Sequence, residues 1–283
     1  MTIKAVIFDI GDKRRVDYDV TTNVFEGGVC VGSPMAGIHA YEQRHGLPRN
    51  YINVAIVRQG ENGAFQKLER GELKLNDFYK DFGLQLSDPT NKEHYKQYLK
   101  KTGKRNPKKK KNILFSSIDI AVPEYIPDVH VDGKELFKTM MLETARIDPY
   151  IYSALRCLKE SGKYTLAALT NNFELPEDDL QEAEAMGASA AIELRAIFDY
   201  FIESRLVGLR KPDPNFFLHA CRLLNIQPNE AIFLDDIGMN LRSARQLGMK
   251  TIQVKMGHSK EAVKQLESLT GLDLLGKVSK SKL

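Results

Sequence analysis

The sequence predicts an α/β fold: a parallel sheet with helices on both faces, joined to a second, mostly helical unit. Three observations carry this. Short apolar, β-favouring runs recur along the chain, and they close on polar residues. Helical patterns alternate with the later runs, which is the signature of a parallel sheet. A stretch over residues 32–148 separates the first run from the second. A connection of that length cannot be a simple loop in a compact domain.

In chain order, residues 4–8 (KAVIF) form the first run and close on Asp9, a carboxylate at the C-terminal edge of a buried strand. Residues 164–169 (YTLAAL) close on Thr170-Asn171, and residues 231–234 (AIFL) on Asp235-Asp236. A fourth run, residues 251–254 (TIQV), ends near Lys255. Helical patterns cover residues 149–161, 215–224 and 240–247, the last closed by Gly248 as a C-cap. Within the long connection, residues 64–82 place Phe65, Leu68, Leu75, Phe78, Tyr79 and Phe82 at partly helical spacing. The expected division is a core of residues 1–31 and 149–283 with a helical cap of residues 32–148. A basic segment over about residues 100–127 reads as a mobile, disordered loop in that cap.

At 283 residues the chain can bury one large core or a core plus an accessory unit. Its 42% apolar and 28% charged residues are ordinary for a folded protein. No apolar stretch approaches the ~18–20 residues of a membrane helix, and the start MTIKAVIFDI lacks the pattern of a secretory signal. Neither a membrane span nor secretion is expected. Cys30, Cys157 and Cys221 form neither a CxxC pair nor an even framework, so they read as buried or semi-buried thiols in a reducing compartment. The net charge of +4 is local: residues 100–111 (KKTGKRNPKKKK) hold eight basic residues, and the remainder comes to −4. With no aromatic residues interleaved to stack bases, the run reads as a solvated loop, and no nucleic-acid partner is expected. The six histidines show no HxH or HExxH spacing and are read as other than metal ligands.

The polar stations at the strand ends, in the order Asp, Thr, Lys and Asp-Asp, are those that phosphoryl transfer to a carboxylate requires. A carboxylate nucleophile divides one difficult displacement into two easier ones. A hydroxyl and a lysine ammonium can hold the phosphoryl oxygens, and further carboxylates can hold Mg²⁺ against them. Hard oxygen donors suit magnesium better than zinc. Each station has a bland reading as well. Asp9 could cap a turn, Thr170-Asn171 could be an ordinary turn, and Lys211-Pro212-Asp213-Pro214 could be a loop before a helix. Adjacent Asp235-Asp236 is hardest to read blandly, since neighbouring carboxylates repel unless a cation is near.

Four segments carry a resemblance: Phe8-Asp9-Ile10-Gly11; Leu169-Thr170-Asn171-Asn172; Gly208-Leu209-Arg210-Lys211-Pro212-Asp213-Pro214; and Phe233-Leu234-Asp235-Asp236-Ile237-Gly238-Met239-Asn240-Leu241. They resemble the four motifs of the haloacid dehalogenase (HAD) superfamily. More narrowly, residues 198–254 resemble the N-terminal phosphatase domain of soluble epoxide hydrolases and its relatives joined to acyl-CoA dehydrogenases. The resemblance implies a Rossmann-like core and a helical cap. It implies Asp9 as nucleophile, Thr170 and Asn171 holding the transferring group by backbone and side chain, and Lys211 neutralising Asp9 and the substrate oxygens. For Mg²⁺ it implies Asp9, Asp236 and the Gly11 carbonyl as ligands, with Asp235 beside them, paired with Lys211 or a metal-bound water, and Asn240 in support. The substrate implied is a small-molecule phosphate, either small or lipid. The epoxide-opening domain would have to follow the phosphatase domain and the chain ends first, so epoxide hydrolysis is not expected.

The sequence departs from that pattern in two places. Active phosphatases of this superfamily carry a second aspartate two residues after the nucleophile, as acid to the leaving group and base to water; here that position is Gly11. General acid–base help is worth roughly 10²–10⁴-fold, so a catalytically weak or dead HAD-fold binding protein stands as an alternative. A haloacid dehalogenase is another, although it needs no Mg²⁺ and Asp235-Asp236 argues against it. The second departure is residues 12–27, whose removal joins FDIG to GVCV and restores the family's first loop. They read as an insertion in the flap beside Asp9, either a retained short intron or a genuine extension, and the transcript across the junction separates the two. Finally, Ser281-Lys282-Leu283 spells the tripeptide read by a peroxisomal import receptor, so peroxisomal import is expected.

Overall fold

The apolar runs form one wholly parallel sheet in a computed structural model that describes residues 2–10, 29–31, 34–103, 126–142, 147–176, 179–186, 188–255 and 257–275. Its strands are β1 (Ala5–Phe8), β2 (Thr165–Thr170), β3 (Tyr200–Glu203), β4 (Ala231–Asp235) and β5 (Lys250–Gln253), in the order β3-β2-β1-β4-β5. Each of the four expected runs is a strand, displaced by no more than one residue at either end. The sequence reading missed β3, a four-residue edge strand whose first two residues are exposed and half-buried. It offers no continuous buried run to read. Gly11, the insertion 12–27 and the tripeptide 281–283 lie outside the described residues.

Between β1 and α7 (Pro149–Ser161) the described chain is mostly helical: α1 (Pro34–Arg44), α2 (Tyr51–Arg58), α3 (Ala64–Glu69), α4 (Leu75–Ser87), α5 (Thr90–Gly103) and α6 (Gly133–Leu142). These helices share one apolar cluster centred on stacked and edge-on rings. Phe137 lies 4.9 Å from Phe78 and 5.0 Å from Phe173 between ring centroids. Phe173 and Met186 come from the segment after β2, so the cluster ties the helical unit to the sheet's edge. The helical pattern over residues 64–82 is two helices rather than one. The break falls where Gly71 takes φ +73°, a left-handed conformation that only glycine adopts cheaply. The basic segment expected as loop from residue 100 begins inside α5, because Lys100 and Lys101 occupy its last turn. Cations are favourable against the unpaired carbonyls there. Residues 104–125, the rest of that segment except for 126–127, lie outside the described residues.

The remaining helices are α7 (Pro149–Ser161), α8 (Leu180–Ala185), α9 (Ala188–Arg195), α10 (Ser204–Val207), α11 (Pro214–Leu224), α12 (Gly238–Gln246) and α13 (Ser259–Thr270). Alternation along the strands assigns them to faces. Val6, Phe8, Leu166, Ala168, Ile232 and Leu234 face one layer with α7 and α13. Ile7, Ala167, Leu169 and Phe233 face the other with α11 and α12. Asp148 starts α7 by accepting from the backbone N–H groups of Tyr150 and Ile151, with Pro149 at the first helical position. Cys30 and Cys221 are buried thiols, and Cys157 is half-buried. No helix of the described residues is long and apolar enough to cross a membrane.

Candidate active site

Parallel register brings the polar strand ends together. Phe8 pairs with Ala168 on one side and Leu234 on the other. The residues that leave these strands, Asp9, Thr170-Asn171 and Asp235-Asp236, therefore emerge on one carboxyl edge. β1 is the central strand, where successive connections turn to opposite sides, and such an edge is where open α/β sheets bind ligands.

At that edge Asp9, Asp235 and Asp236 each offer a carboxylate oxygen, all within 4.8 Å of one another, and the three residues are 0%, 0% and 1% exposed. Lys211, also fully buried, donates from Nζ to Asp9 Oδ1 at 2.5 Å and to Asp235 Oδ2 at 3.2 Å. Its loop is fastened on several sides. Asn171 Oδ1 accepts from the Lys211 N–H at 2.8 Å, and Asn171 Nδ2 donates to the Lys211 carbonyl at 3.1 Å. Ser243 Oγ donates to the Pro212 carbonyl at 2.6 Å. Asp213 caps α11 by accepting from the Asn215 N–H, with Pro214 opening the helix. On the other side of the site, Asp235 Oδ1 accepts from the Ile237 N–H at 2.7 Å, and Asn240 Nδ2 donates to both Asp235 oxygens at 3.2 and 3.1 Å.

Burial pushes the Asp235 carboxyl up to about 6; the Lys211 ammonium pulls it down, while the negative charge of Asp9 pushes it up again. The Cys30 thiol, whose Sγ lies 3.2 Å from the Asp9 carbonyl oxygen, is held well above its ordinary value by burial and by Asp9. Beside the site is a cavity of about 430 Å³ lined by Thr170 and Asn171, by apolar side chains such as Phe173 and Ile192, and by the charged Glu174, Arg195, Glu203 and Arg205.

Residues 37–248 match the haloacid dehalogenase-like hydrolase family. The chain belongs to that family. This HAD-like hydrolase is 28% identical over 277 residues to bifunctional epoxide hydrolase 2 of Sus scrofa, covering 97% of this chain and 40% of that protein. It is 31% identical over 248 residues to acyl-CoA dehydrogenase family member 10 of Mus musculus, covering 88% of this chain and 19% of that protein. The chain thus spans less than half the length of either relative. Both are the relations that the motifs pointed to. Among solved structures, a HAD family enzyme from Bacteroides thetaiotaomicron superposes with a TM-score of 0.51 at 15% identity, over 91% of this chain and 96% of that one. That likeness speaks for the fold alone.

Of the residues singled out in the sequence, Asp9, Lys211, Asp235 and Asp236 lie in one buried cluster, and Asn240 supports Asp235. Thr170 ends β2, buried, with Oγ1 3.4 Å from the Asn171 carbonyl oxygen. Both ends of the Asn171 amide grip the backbone of Lys211, so its side chain fastens the loop that carries the lysine. Sequence reasoning missed Glu69 and Arg210, which form a buried ion pair behind Lys211. Arg210 stood within the quoted motif, but nothing in the sequence linked it to a residue 141 positions away.

Proposed function

We propose that this HAD-like hydrolase is a Mg²⁺-dependent phosphomonoesterase that works through an aspartyl-phosphate on Asp9. The observation that carries the reading is three buried carboxylates gathered within 4.8 Å, two of them paired to one buried ammonium. Two carboxylates about 4 Å apart repel by about 4 kcal/mol at an effective dielectric near 20. Lys211 supplies one positive charge against three negative ones when all are ionised, so the donor set fits a hard divalent cation. Asp9 and Asp236 would hold it directly, with the Gly11 carbonyl by the family pattern and with Asp235 and Asn240 beside it. Mg²⁺ bound there supplies positive charge against the phosphoryl oxygens as they gather charge.

The chain's own groups account for the two displacements. An Asp9 carboxylate oxygen attacks phosphorus, the bond from phosphorus to the ester oxygen breaks, and the departing alkoxide takes a proton from water. Water then attacks the phosphorus of the aspartyl-phosphate, its proton passes to solvent, and inorganic phosphate leaves with Asp9 restored. Lys211, already donating to Asp9 Oδ1, holds its charge where the phosphoryl oxygens arrive. Asn171 and the cap of α11 fix the backbone that carries it. The helical unit over residues 32–148 acts as a cap that closes the site and selects substrate. The cavity beside Thr170, with apolar walls and the arginines Arg195 and Arg205 in its lining, supports a phosphomonoester, whether small or lipid.

The test is hydrolysis of p-nitrophenyl phosphate by the full chain. Turnover is expected with Mg²⁺, is lost with EDTA and returns when Mg²⁺ is restored. A protein that is folded and loaded with Mg²⁺ yet inert would leave the binding-protein reading in its place. Gly11 favours that second reading in one respect, the missing acid. Gly11→Asp is expected to raise kcat by at least about tenfold toward an alkyl phosphate. The gain should be smaller toward p-nitrophenyl phosphate, whose leaving group needs little protonation. Equal or absent gains on both substrates would count against the acid–base argument.

A further inference from the structure

Helix α3 reaches the catalytic edge through a buried ion pair. Arg210 Nη2 donates to Glu69 Oε2 at 2.5 Å, with Glu69 fully buried and Arg210 4% exposed. Glu61, on the turn before α3, faces the same guanidinium at 3.8 Å. The end of α3 is held a second time, because Ser204 Oγ donates to the Glu69 carbonyl at 2.5 Å. Gly71 packs so closely that a Cβ there would lie 2.6 Å from the Arg205 carbonyl oxygen. The helical unit and the segment leading into Lys211 therefore meet in close contact at the end of α3.

Arg210 directly precedes Lys211, and its carbonyl accepts from the Asp213 N–H at 2.9 Å, closing the turn on which Lys211 stands. Asn171 grips that turn from the sheet side, and Glu69 grips it from the helical side. A buried ion pair is a poor source of net stability, because desolvation costs about what the pairing returns. Its best-attested use is to fix register, since no other arrangement satisfies both charges. From that turn the Lys211 ammonium reaches both Asp9 and Asp235.

We propose that Glu69 is a positioning residue for Lys211, acting through Arg210, so that seating of the helical unit and placement of the catalytic ammonium are coupled. The proposal rests on the phosphatase reading for its kinetic arm only. When α3 is seated, the Glu69 carboxylate holds Arg210, and Lys211 stands between Asp9 and Asp235. When α3 shifts, the turn at residues 208–213 loses its outer clamp and Lys211 moves off line, whereas neither Glu69 nor Arg210 lines the cavity beside Thr170.

The test uses the full chain in two variants: Glu69→Gln, which removes the negative charge facing Arg210, and the double variant Glu69→Met with Arg210→Met, which replaces the pair by apolar groups. Kinetics on p-nitrophenyl phosphate with Mg²⁺ are read beside peptide-resolved hydrogen exchange and Tm. Both variants are expected to lose about 10- to 100-fold in kcat with KM little changed, and to exchange faster at residues 208–213. The double variant is expected to keep a Tm near that of the wild type. A double variant of wild-type stability with unchanged kcat and unchanged exchange at 208–213 overturns the proposal. So does a Glu69→Gln variant that loses Tm while keeping kcat, since that is a structural prop alone. If the wild type does not turn over at all, the phosphatase reading fails by itself. Exchange in the double variant then decides the coupling: faster at 208–213 upholds it, unchanged sinks it.

Discussion

Asp9→Asn is expected to lower kcat for p-nitrophenyl phosphate by at least about 10³-fold while leaving the protein folded. The substitution keeps the shape of the side chain and removes the anionic oxygen that bonds to phosphorus, together with a charged donor to the metal. Asp9 sits fully buried at the end of the central strand, with its N–H donating to the Leu234 carbonyl at 2.8 Å, and the amide leaves that bond in place. Lys211 loses a charged partner but still donates to Asp235, so the ammonium is not stranded. Single-turnover assays and circular dichroism check the two halves of the expectation. Turnover that persists in Asp9→Asn would assign the nucleophile elsewhere.

Lys211→Met is expected to cost about 10²–10³-fold in kcat, the scale on which removal of one preorganised electrostatic group is felt. The same variant carries a second, oppositely directed expectation. With the ammonium gone, Asp9, Asp235 and Asp236, within 4.8 Å of one another, lose the counter-charge that Lys211 supplies. The Mg²⁺-free protein should therefore melt lower than wild type, and Mg²⁺ should raise its Tm by more than it raises the wild type's. Thermal melts with and without Mg²⁺ read this directly. A smaller Mg²⁺-induced shift in Lys211→Met would mean that Lys211 is not the counter-charge of the cluster.

What the sequence disclosed and what it hid have physical causes. β1, β2 and β4 were legible because strands buried on both faces must be continuously apolar, and their first polar residue marks the sheet's edge. That is why Asp9, Thr170 and Asp235-Asp236 could be singled out from their positions. The helical unit was legible as a unit from its length, but α3 and α4 merged, since Phe65, Leu68, Phe78 and Phe82 bury in one cluster on both sides of the Gly71 break. A shared core makes two helices look like one amphipathic pattern. β3 was hidden by being short and partly exposed. The motif singles out Asn171 but not its partner. Its grip on Lys211 is a contact between residues 40 positions apart, which no local pattern encodes. Glu69 and Arg210 were hidden for the same reason: a buried ion pair leaves no periodicity, only two charged residues in unremarkable places.

The central claim is that Asp9 and Asp236 converge to hold one divalent ion, and calorimetric titration with Mg²⁺ in the absence of substrate tests it most directly. The wild type is expected to bind a single ion. Asp236→Asn is expected to bind it at least about 10–100-fold more weakly, the loss already typical when only an outer-shell partner is removed. Equal affinity in wild type and Asp236→Asn, or no binding by the folded wild type, would contradict the account.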